Sequence, residues 1–292
     1  MYRSTLLFAA LQLAFLAVAV GCTTPPLSGP AMTPSRRFSA IRHASPEDAV
    51  RGYFAGSDQC ASRLLRAAFH PAAHMAWIDG DAVRTRAMLA WWQRTDAQAP
   101  CRPAAERQLA VLDREGPLAL VEATSQFTDF AFHDLLLVAE TPEGWLIVDK
   151  VFERLAGQQP AQPGDNAVVR AVLQTKIDAA LASDPALLAT THLDDCMYSS
   201  VRAGDIAYMR ESVSEWGARY AAARERGEDG RKASWHIAQI HAFDRIAAAK
   251  LEIQSPTGRH IDHLLLVRAA EGWRIAAATW GGGFTGNDPQ QR

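Results

Sequence analysis

One segment of the chain, His-Ile-Asp-His at 260–263, carries two histidines and an aspartate directly before an apolar run. Because alternate residues of a strand share a face, His260 and Asp262 would lie together and His263 would point the opposite way. An imidazole beside a carboxylate can transfer protons or bind a metal ion. Ligands on opposite faces cannot converge on one ion, so we expect no metal here. Asp262 and His263 remain candidates for acid–base catalysis.

A second pair, His133 and Asp134, also precedes an apolar run. The two residues are adjacent, so at most one of them would face a cavity if the segment is a strand. An apolar cavity raises the pKa of a carboxyl group, and either residue could then act as a general base. The alternative for both pairs is a polar strand end whose side chains are hydrogen-bonded or solvated.

The sequence lacks the motifs of the common cofactor-dependent and nucleophilic enzymes. It contains no Walker loop, no Gly-x-Ser-x-Gly elbow, no His-Glu-x-x-His helix and no dinucleotide glycine fingerprint. We therefore expect no cofactor. Most of the tryptophans should lie in the core, while one or two could stack a flat ligand at a cavity mouth. The pocket candidates are Trp77, Trp145, Trp235, Trp273 and Trp280.

The composition is that of an ordinary globular protein. Apolar residues make up 48% and charged residues 21% of the 292 residues, and the formal net charge is −2. This balance gives no basic surface, so nucleic-acid binding is not expected. The length that follows the N-terminal segment suits two domains of ~100–150 residues each.

The N-terminal segment predicts export and a lipid anchor. Arg3 is followed by an apolar run over 6–20, which is shorter than a membrane span of ~20 residues and typical of a secretory signal. Ala-Val-Gly-Cys at 19–22 resembles a bacterial lipobox, in which Cys22 receives the lipid. The alternative is an ordinary signal peptide with a chance cysteine. Thr23, and not an aspartate, follows Cys22, which favours the outer membrane. The protein would contact that membrane through its lipid anchor only.

Two further cysteines could form a disulfide. Cys60 and Cys101 both lie in the first half, and an oxidising periplasm would permit them to pair. The sequence does not supply the distance that decides pairing, so two buried free thiols are the equal alternative. Cys196 would then have no partner and is expected in the core.

The chain contains an internal repeat. Asp-Leu-Leu-Leu-Val at 134–138 is followed by Glu-Gly-Trp at 143–145, and His-Leu-Leu-Leu-Val at 263–267 is followed by Glu-Gly-Trp at 271–273. Each half is predicted as helix, helix, strand, helix and then consecutive strands, which is an α+β order. The expected segments are a signal and lipobox (1–22), a flexible tether (23–44), a first domain (45–157), a linker (158–165), a second domain (166–283) and a tail (284–292).

Capping and turn residues predict the element ends. In the first half, Ser45 begins one helix, a second helix extends to about Pro71, and Thr85 caps a third. In the second half, Asp184 caps the second helix, and a turn at 204–205 precedes a helix over 208–226. Helices on one face of a curved, mainly antiparallel sheet would form a cone with one open end, a shape that can hold a small ligand.

Four stretches together resemble the nuclear transport factor 2-like superfamily, and within it the bacterial domains called "putative lumazine-binding". These stretches are Phe-His-Pro at 69–71, Gly-Trp-Leu-Ile-Val-Asp-Lys-Val-Phe at 144–152, Ala-Ala-Ala-Lys-Leu-Glu at 247–252 and Asp-His-Leu at 262–264. In the first half the acid of the third family stretch is expected to be displaced by one residue and to face the other side of its strand. The second half has Ala278 and Trp280 where the family motif has Lys and Phe.

The resemblance implies two tandem cone-shaped domains, each with about three helices on a curved sheet. Members of this superfamily include isomerases, dehydratases and pure binding modules, so the fold alone does not name an activity. The first expectation is a non-enzymatic module that binds a small molecule or an envelope protein. A cavity enzyme of the ketosteroid isomerase type and a structural envelope or secretion component are the alternatives. The two cones are expected to pair within the chain, like the homodimers of the superfamily, or the protein forms a homodimer itself.

Overall fold

A computed structural model describes residues 41–95, 101–157, 159–201, 209–227, 233–256 and 258–283. The elements of the first half are α1 (Pro46–Asp58), α2 (Ser62–Ala68), β1 (Phe69–Asp79), β2 (Ala82–Ala87), α3 (Met88–Thr95), β3 (Glu106–Glu115), β4 (Leu118–Gln126), β5 (Phe130–Thr141) and β6 (Gly144–Ala156). The elements of the second half are α4 (Asn166–Ala182), α5 (Pro185–Thr190), β7 (His192–Val201), β8 (Met209–Ser212), α6 (Val213–Glu225), β9 (Ser234–Ala242), β10 (Ile246–Ser255), β11 (Gly258–Ala269) and β12 (Gly272–Gly283).

The two halves have the same topology. Within the described residues, one sheet has the strand order β2-β1-β6-β5-β4-β3 and the other the order β8-β7-β12-β11-β10-β9. All pairings are antiparallel except β1 with β6 and β7 with β12. In each half the helices cover one face of the sheet and enclose an apolar core. This architecture confirms the predicted α+β fold of two tandem cones.

Local capping explains where α1 and α5 begin. The Ser45 hydroxyl accepts a hydrogen bond from the Asp48 amide at 3.1 Å, and Pro46 occupies the first helical position. In the second half, the Asp184 carboxylate accepts hydrogen bonds from the first-turn amides of α5. These helix starts agree with the sequence prediction.

Two helix boundaries predicted for the first half were wrong. The second helix ends at Ala68, and strand β1 begins at Phe69 and continues through Pro71. Proline is tolerated there because the pairing of β1 with β6 is interrupted between Phe69 and His74, so its missing N–H breaks no regular ladder. Thr85 lies in strand β2 and does not cap a helix, since that helix begins at Met88.

The third helix of the second half also begins later than predicted. Residues 209–212 form the edge strand β8, and Ser212 begins α6 with a capping box that includes Glu215. The predicted turn at 204–205 lies outside the described residues, as do the signal peptide with its lipobox, most of the tether and the tail. Of the helices in the described ranges, none combines the length and the apolar character needed to cross a bilayer.

The end of the predicted tether belongs to the first domain. The His43 carbonyl accepts a hydrogen bond from the Trp145 amide at 3.0 Å, and the His43 side chain is buried. The cysteine question is answered in the same domain: Cys60 and Cys101 form a disulfide with their Cα atoms 5.6 Å apart. Cys196 is a free, buried thiol in the second core.

The outer faces of the two sheets pack against each other. A third apolar cluster, which we call the interface core, takes side chains from both halves. Its buried members are Ala76, Ile78, Leu118, Leu120, Leu135, Leu137, Ala139, Val148, Val151, Val201, Ile246, Ala248, Leu265, Val267 and Ala277. Each sheet is therefore covered on both faces, by its own helices and by the other sheet. This is the intrachain pairing of cones that the repeat predicted.

Candidate functional site

A buried polar group lies inside the first cone. Asp134 on β5 accepts hydrogen bonds from the Tyr53 hydroxyl at 2.8 Å and from Lys150 Nζ at 2.9 Å. Lys150 also donates to the Tyr53 oxygen at 2.8 Å, so the three side chains form a closed triangle. The side chain of Asp134 is fully buried and that of Lys150 is 6% exposed. We call Tyr53, Asp134 and Lys150 the first polar centre.

The electrostatics of this centre favour a fixed charge pair. Burial, with Asp134 nearby, raises the pKa of Tyr53 well above its usual value, so the phenol remains protonated and donates. Burial lowers the pKa of Lys150, and the attraction of Asp134 opposes that shift. One oxygen of Asp134 accepts from Tyr53 and the other accepts from Lys150. The three side chains of the first polar centre therefore satisfy one another's hydrogen bonds.

The second cone holds a different polar centre. Asp262 on β11 accepts a hydrogen bond from Lys176 Nζ at 2.8 Å, and the two side chains are 4% and 2% exposed. The Lys176 ammonium lies 4.8 Å from the centroid of the Trp235 ring. The other carboxylate oxygen of Asp262 and the Trp235 indole nitrogen are buried without a hydrogen-bond partner. We call Lys176, Asp262 and Trp235 the second polar centre.

Strand registers show that the two aspartates are equivalent. Asp134 pairs with Phe152 on β6, and Asp262 pairs with Trp280 on β12. The predicted one-residue displacement of the first acid was therefore wrong. The Asp-His-Leu of the second half aligns with the Asp-Leu-Leu that begins at Asp134, so both acids face the interior of their cones. The error arose because His133 precedes its aspartate, whereas His263 follows its own.

The lysines, in contrast, come from different elements. Lys150 lies on β6, and its register equivalent on β12 is Ala278, since Leu136 pairs with Lys150 and Leu264 with Ala278. Lys176 lies on α4, at the position that Tyr53 occupies on α1. Tyr53 precedes Ala61, the N-cap of α2, by the same number of residues as Lys176 precedes Asp184, the N-cap of α5. The buried aspartate is thus kept in both cones while its cation moves from strand to helix.

The two candidate histidines lie outside the cones, on the faces where the halves meet. His133 is buried between Glu122 and Glu153, at 2.8 and 3.1 Å, and its ring packs edge-on against Phe243 of the second half. Burial opposes its charge, but the hydrogen bonds to both glutamates outweigh burial and raise the pKa of His133 to about 9. An imidazole held in its charged form at neutral pH by two glutamates is not available as a base, so the prediction of a base at His133 is not supported.

His263 contacts the other half of the chain directly. Its Nε2 lies 2.8 Å from Asp113, whose carboxylate also accepts a hydrogen bond from Lys250 at 2.9 Å. Burial opposes ionisation of Asp113, but the hydrogen bonds from His263 and Lys250 dominate and lower its pKa to about 2. His263 therefore connects the two sheets, and its predicted part in acid–base catalysis is not supported.

The tryptophan candidates divide into two groups. Trp145 and Trp273 are 2% and 5% exposed and belong to the apolar cores, which is the alternative that the sequence analysis favoured for most tryptophans. Trp77, Trp235 and Trp280 are partly exposed. Trp77 stacks on Phe152 with ring centroids 5.4 Å apart, and Trp280 stacks on His260 at 4.9 Å. These three remain candidates for contact with a flat ligand.

Sequence reasoning missed Tyr53, Lys150 and Lys176 as site residues. Lys176 carried a usable signal, because it lies three residues after Leu173 on the apolar stripe of its helix and so had to be buried. A lysine buried in this way requires an anionic partner. In the described part of the chain, no group of three or more His, Cys, Asp or Glu side chains is placed to hold a metal ion.

The two halves thus repeat one topology, and each encloses an interior polar centre. The model of the family described as "Putative lumazine-binding" matches residues 42–153 and again 164–281, so the chain belongs to that family. No curated protein matches the chain.

Three solved structures resemble single domains of this chain. An NTF2-like protein of unknown function from Silicibacter pomeroyi has 19% identity and a TM-score of 0.34, over 39% of this chain and 92% of its own. A domain with a cystatin-like fold from Nostoc punctiforme has 13% identity and a TM-score of 0.34, over 42% and 81%. A ketosteroid isomerase-like protein from Erwinia carotovora atroseptica has 16% identity and a TM-score of 0.31, over 40% and 95%.

Proposed function

We propose that the protein is a lipid-anchored envelope protein that binds a small molecule within its cones and catalyses no reaction on it. The observation that carries this proposal is the buried aspartate–lysine pair inside each cone. A buried ion pair adds little net stability, because desolvation offsets much of the attraction. Its presence in both cones, built from different lysines, fits the recognition of a ligand better than it fits the stability of the fold.

The absence of catalysis is supported by how the carboxylates are held. Asp134 accepts from both Tyr53 and Lys150, and Asp262 pairs with Lys176. Both oxygens of Asp134 already accept from these donors, so a substrate proton could reach this carboxylate only by displacing one of them. The cavity enzyme remains the second candidate because Tyr53 and Asp134 place a phenol 2.8 Å from a carboxylate in an apolar interior.

The description of the family names lumazine, and we propose this flat bicyclic lactam as the first ligand to test. Aromatic side chains that could flank a flat ring are present in both cones: Trp77 with Phe152, and Trp280 with His260. Titration calorimetry of the full-length protein in detergent should show saturable binding. A flat titration, together with a native mass spectrum that contains no retained small molecule, would contradict the binding proposal.

The enzyme alternative has its own test. Any turnover of a ligand by the protein should be abolished by Asp134→Asn if Asp134 is a general base. We expect no turnover of a bound ligand by the wild type, as followed by mass spectrometry of that ligand after prolonged incubation. Turnover that disappears in Asp134→Asn, with the fold intact by circular dichroism, would replace the binding module by an enzyme.

The envelope location depends on Cys22, at the end of the lipobox-like segment 19–22. Metabolic labelling with a radioactive fatty acid should label the wild type and leave Cys22→Ser unlabelled. Membrane fractionation should place the labelled protein in the outer membrane, since Thr23 follows the cysteine. Equal labelling of both proteins, or release of the wild type without label, would contradict the lipid anchor.

A further inference from the structure

We infer that the second cone holds the ligand, and that its site takes a neutral group with a hydrogen-bond donor beside an acceptor, such as a cyclic amide. This inference rests on the proposed binding function and names the cone and the chemistry. Its starting point is the second polar centre, where one oxygen of Asp262 and the indole N–H of Trp235 are buried without a partner. A buried polar atom that has no partner lowers stability until a donor or acceptor reaches it.

The first polar centre, in contrast, is complete. One oxygen of Asp134 accepts from Lys150 and the other accepts from Tyr53. None of the three side chains has a buried polar atom without a partner in the described structure. A ligand that entered this cone would have to replace hydrogen bonds that already exist, which gives it little to gain.

The residues at equivalent positions beside the two aspartates differ in size and chemistry. The first cone places a phenol and a lysine around its aspartate, from Tyr53 and Lys150. The second places a lysine and a methyl group there, from Lys176 and Ala278. Ala278 is therefore the smaller residue, at the position that Lys150 holds in the first cone.

The charges of the second polar centre select a neutral ligand. Asp262 and Lys176 neutralise each other, so a cation would be repelled by the ammonium and an anion by the carboxylate. The unpartnered carboxylate oxygen accepts from a donor on the ligand. The Lys176 ammonium has three N–H groups and gives one to Asp262, so it can donate to an acceptor on the ligand. A cyclic amide presents an N–H and a C=O side by side and meets both requirements.

The experiment compares the wild type with two substituted proteins. Lys176→Tyr with Ala278→Lys, which we call the closed variant, transplants the tyrosine and lysine of the first cone into the second. Ala278→Leu fills the same space and leaves the Asp262–Lys176 pair unchanged. The probes are 2-imidazolidinone, a small cyclic urea that presents the same N–H beside a C=O, and lumazine. The readout is the Trp235 indole N–H resonance of the full-length protein in detergent, assigned from Trp235→Phe.

We expect millimolar 2-imidazolidinone to shift the Trp235 resonance of the wild type in a saturable way. The apparent affinity should fall at least tenfold in both substituted proteins, while circular dichroism and thermal unfolding show that they are folded. The reciprocal change in the first cone, Tyr53→Lys with Lys150→Ala, should leave the Trp235 response as in the wild type. An unchanged Trp235 signal in the wild type, or an equal response in the closed variant, would overturn the inference.

The outcomes separate this inference from the proposed function. If lumazine binds equally to the wild type and the closed variant, the protein is a binding module but its ligand does not lie at the second polar centre. If 2-imidazolidinone shifts the Trp235 resonance but lumazine does not bind, the inferred site stands and lumazine is the wrong ligand.

Discussion

At the scale of single residues, the first polar centre is a network in which each member depends on the others. Replacing Lys150 by Met removes the cation and leaves the Asp134 carboxylate, which is fully buried, with Tyr53 as its remaining donor. Breaking a buried ion pair from one side costs about 3–5 kcal/mol. We expect Lys150→Met to lower the free energy of unfolding by that amount, measured by urea denaturation. The double variant with Asp134→Leu should recover part of the loss, and an unchanged stability of Lys150→Met would contradict this account.

His133 should make stability depend on pH. Its pKa is raised in the folded protein from 6.5 to about 9 by Glu122 and Glu153, which outweigh the effect of burial. A group with a raised folded pKa stabilises the protein fully below its unfolded pKa and loses that contribution as the pH rises through its folded pKa. The free energy of unfolding should therefore fall between pH 6.5 and 9, by an amount on the order of 2–3 kcal/mol.

The matched control for this pH dependence is His133→Gln, which keeps hydrogen-bonding capacity but cannot become charged. The variant should be less stable than the wild type at pH 6 and should lose most of the slope above it. If the free energy of unfolding depends on pH in the same way in both proteins, a group other than His133 causes the dependence.

The residues of the two polar centres were only partly predictable. Asp134 and Asp262 were found because acids stand out in apolar strands. Tyr53 lies 81 positions before Asp134, and no local spacing connects them. His133 and His263 lie on the faces where the halves meet, whereas the aspartates beside them face the interior. That difference could be assigned only from the strand register, which shows which face of each strand points toward the other half.

At the scale of elements, the disulfide fixes the end of α1 to the segment that enters β3. Cys60 and Cys101 are 41 positions apart, and a cross-link of that length stabilises a protein by about 4 kcal/mol through the entropy of the unfolded chain. We expect the Cys60→Ser, Cys101→Ser double variant to unfold at a lower temperature by calorimetry. Reducing agent should destabilise the wild type and leave the double variant unaffected. A wild type that is insensitive to reduction would contradict a structural disulfide.

Helix α5 should depend on its cap, because it is only six residues long. Asp184 accepts hydrogen bonds from the Ala186 and Leu187 amides at 2.9 and 3.0 Å. Asp184→Ala should lower the free energy of unfolding by ~1 kcal/mol. Asp244→Ala, on an exposed turn, is the control and should change stability little. Equal effects of the two substitutions would show that capping does not hold α5.

Elements with strong local signals were predicted well, and those fixed by tertiary pairing were not. Ser45 and Asp184 cap helices as their sequence context indicated. The end of β2, from Thr85, and the whole of β8 were assigned to helix starts, because their residues carry no strand pattern of their own. They extend because β1 and β7 supply the edges with which they pair.

At the scale of the whole molecule, the halves are joined by charge as well as by the interface core. Arg210 of the second half donates to Asp149 of the first at 2.9 Å and lies 2.7 Å from His74. Arg210→Met would leave the Asp149 carboxylate, which is 2% exposed, without its cation. We expect a loss of about 3–5 kcal/mol in the free energy of unfolding. Arg268→Met, in an exposed pair, is the control.

Because the two sheets share one apolar interface, the halves should unfold together. The wild type should give a single calorimetric transition, and Arg210→Met should shift that transition as a whole. Two separate transitions in the wild type would mean that the cones are independent domains. The sequence repeat predicted two domains, and the family resemblance predicted their pairing, which the interface core shows. It could not predict cross-half contacts such as Arg210 with Asp149, which are 61 positions apart and depend on how the sheets are placed.

Native mass spectrometry of the full-length protein in detergent, recorded with lumazine for the wild type and for the closed variant, tests the central claim most directly. One bound molecule on each wild-type chain and none on the closed variant is the predicted result. A wild-type spectrum without adduct would contradict lumazine as the ligand, and equal adducts on both proteins would contradict the second cone as the place where it binds.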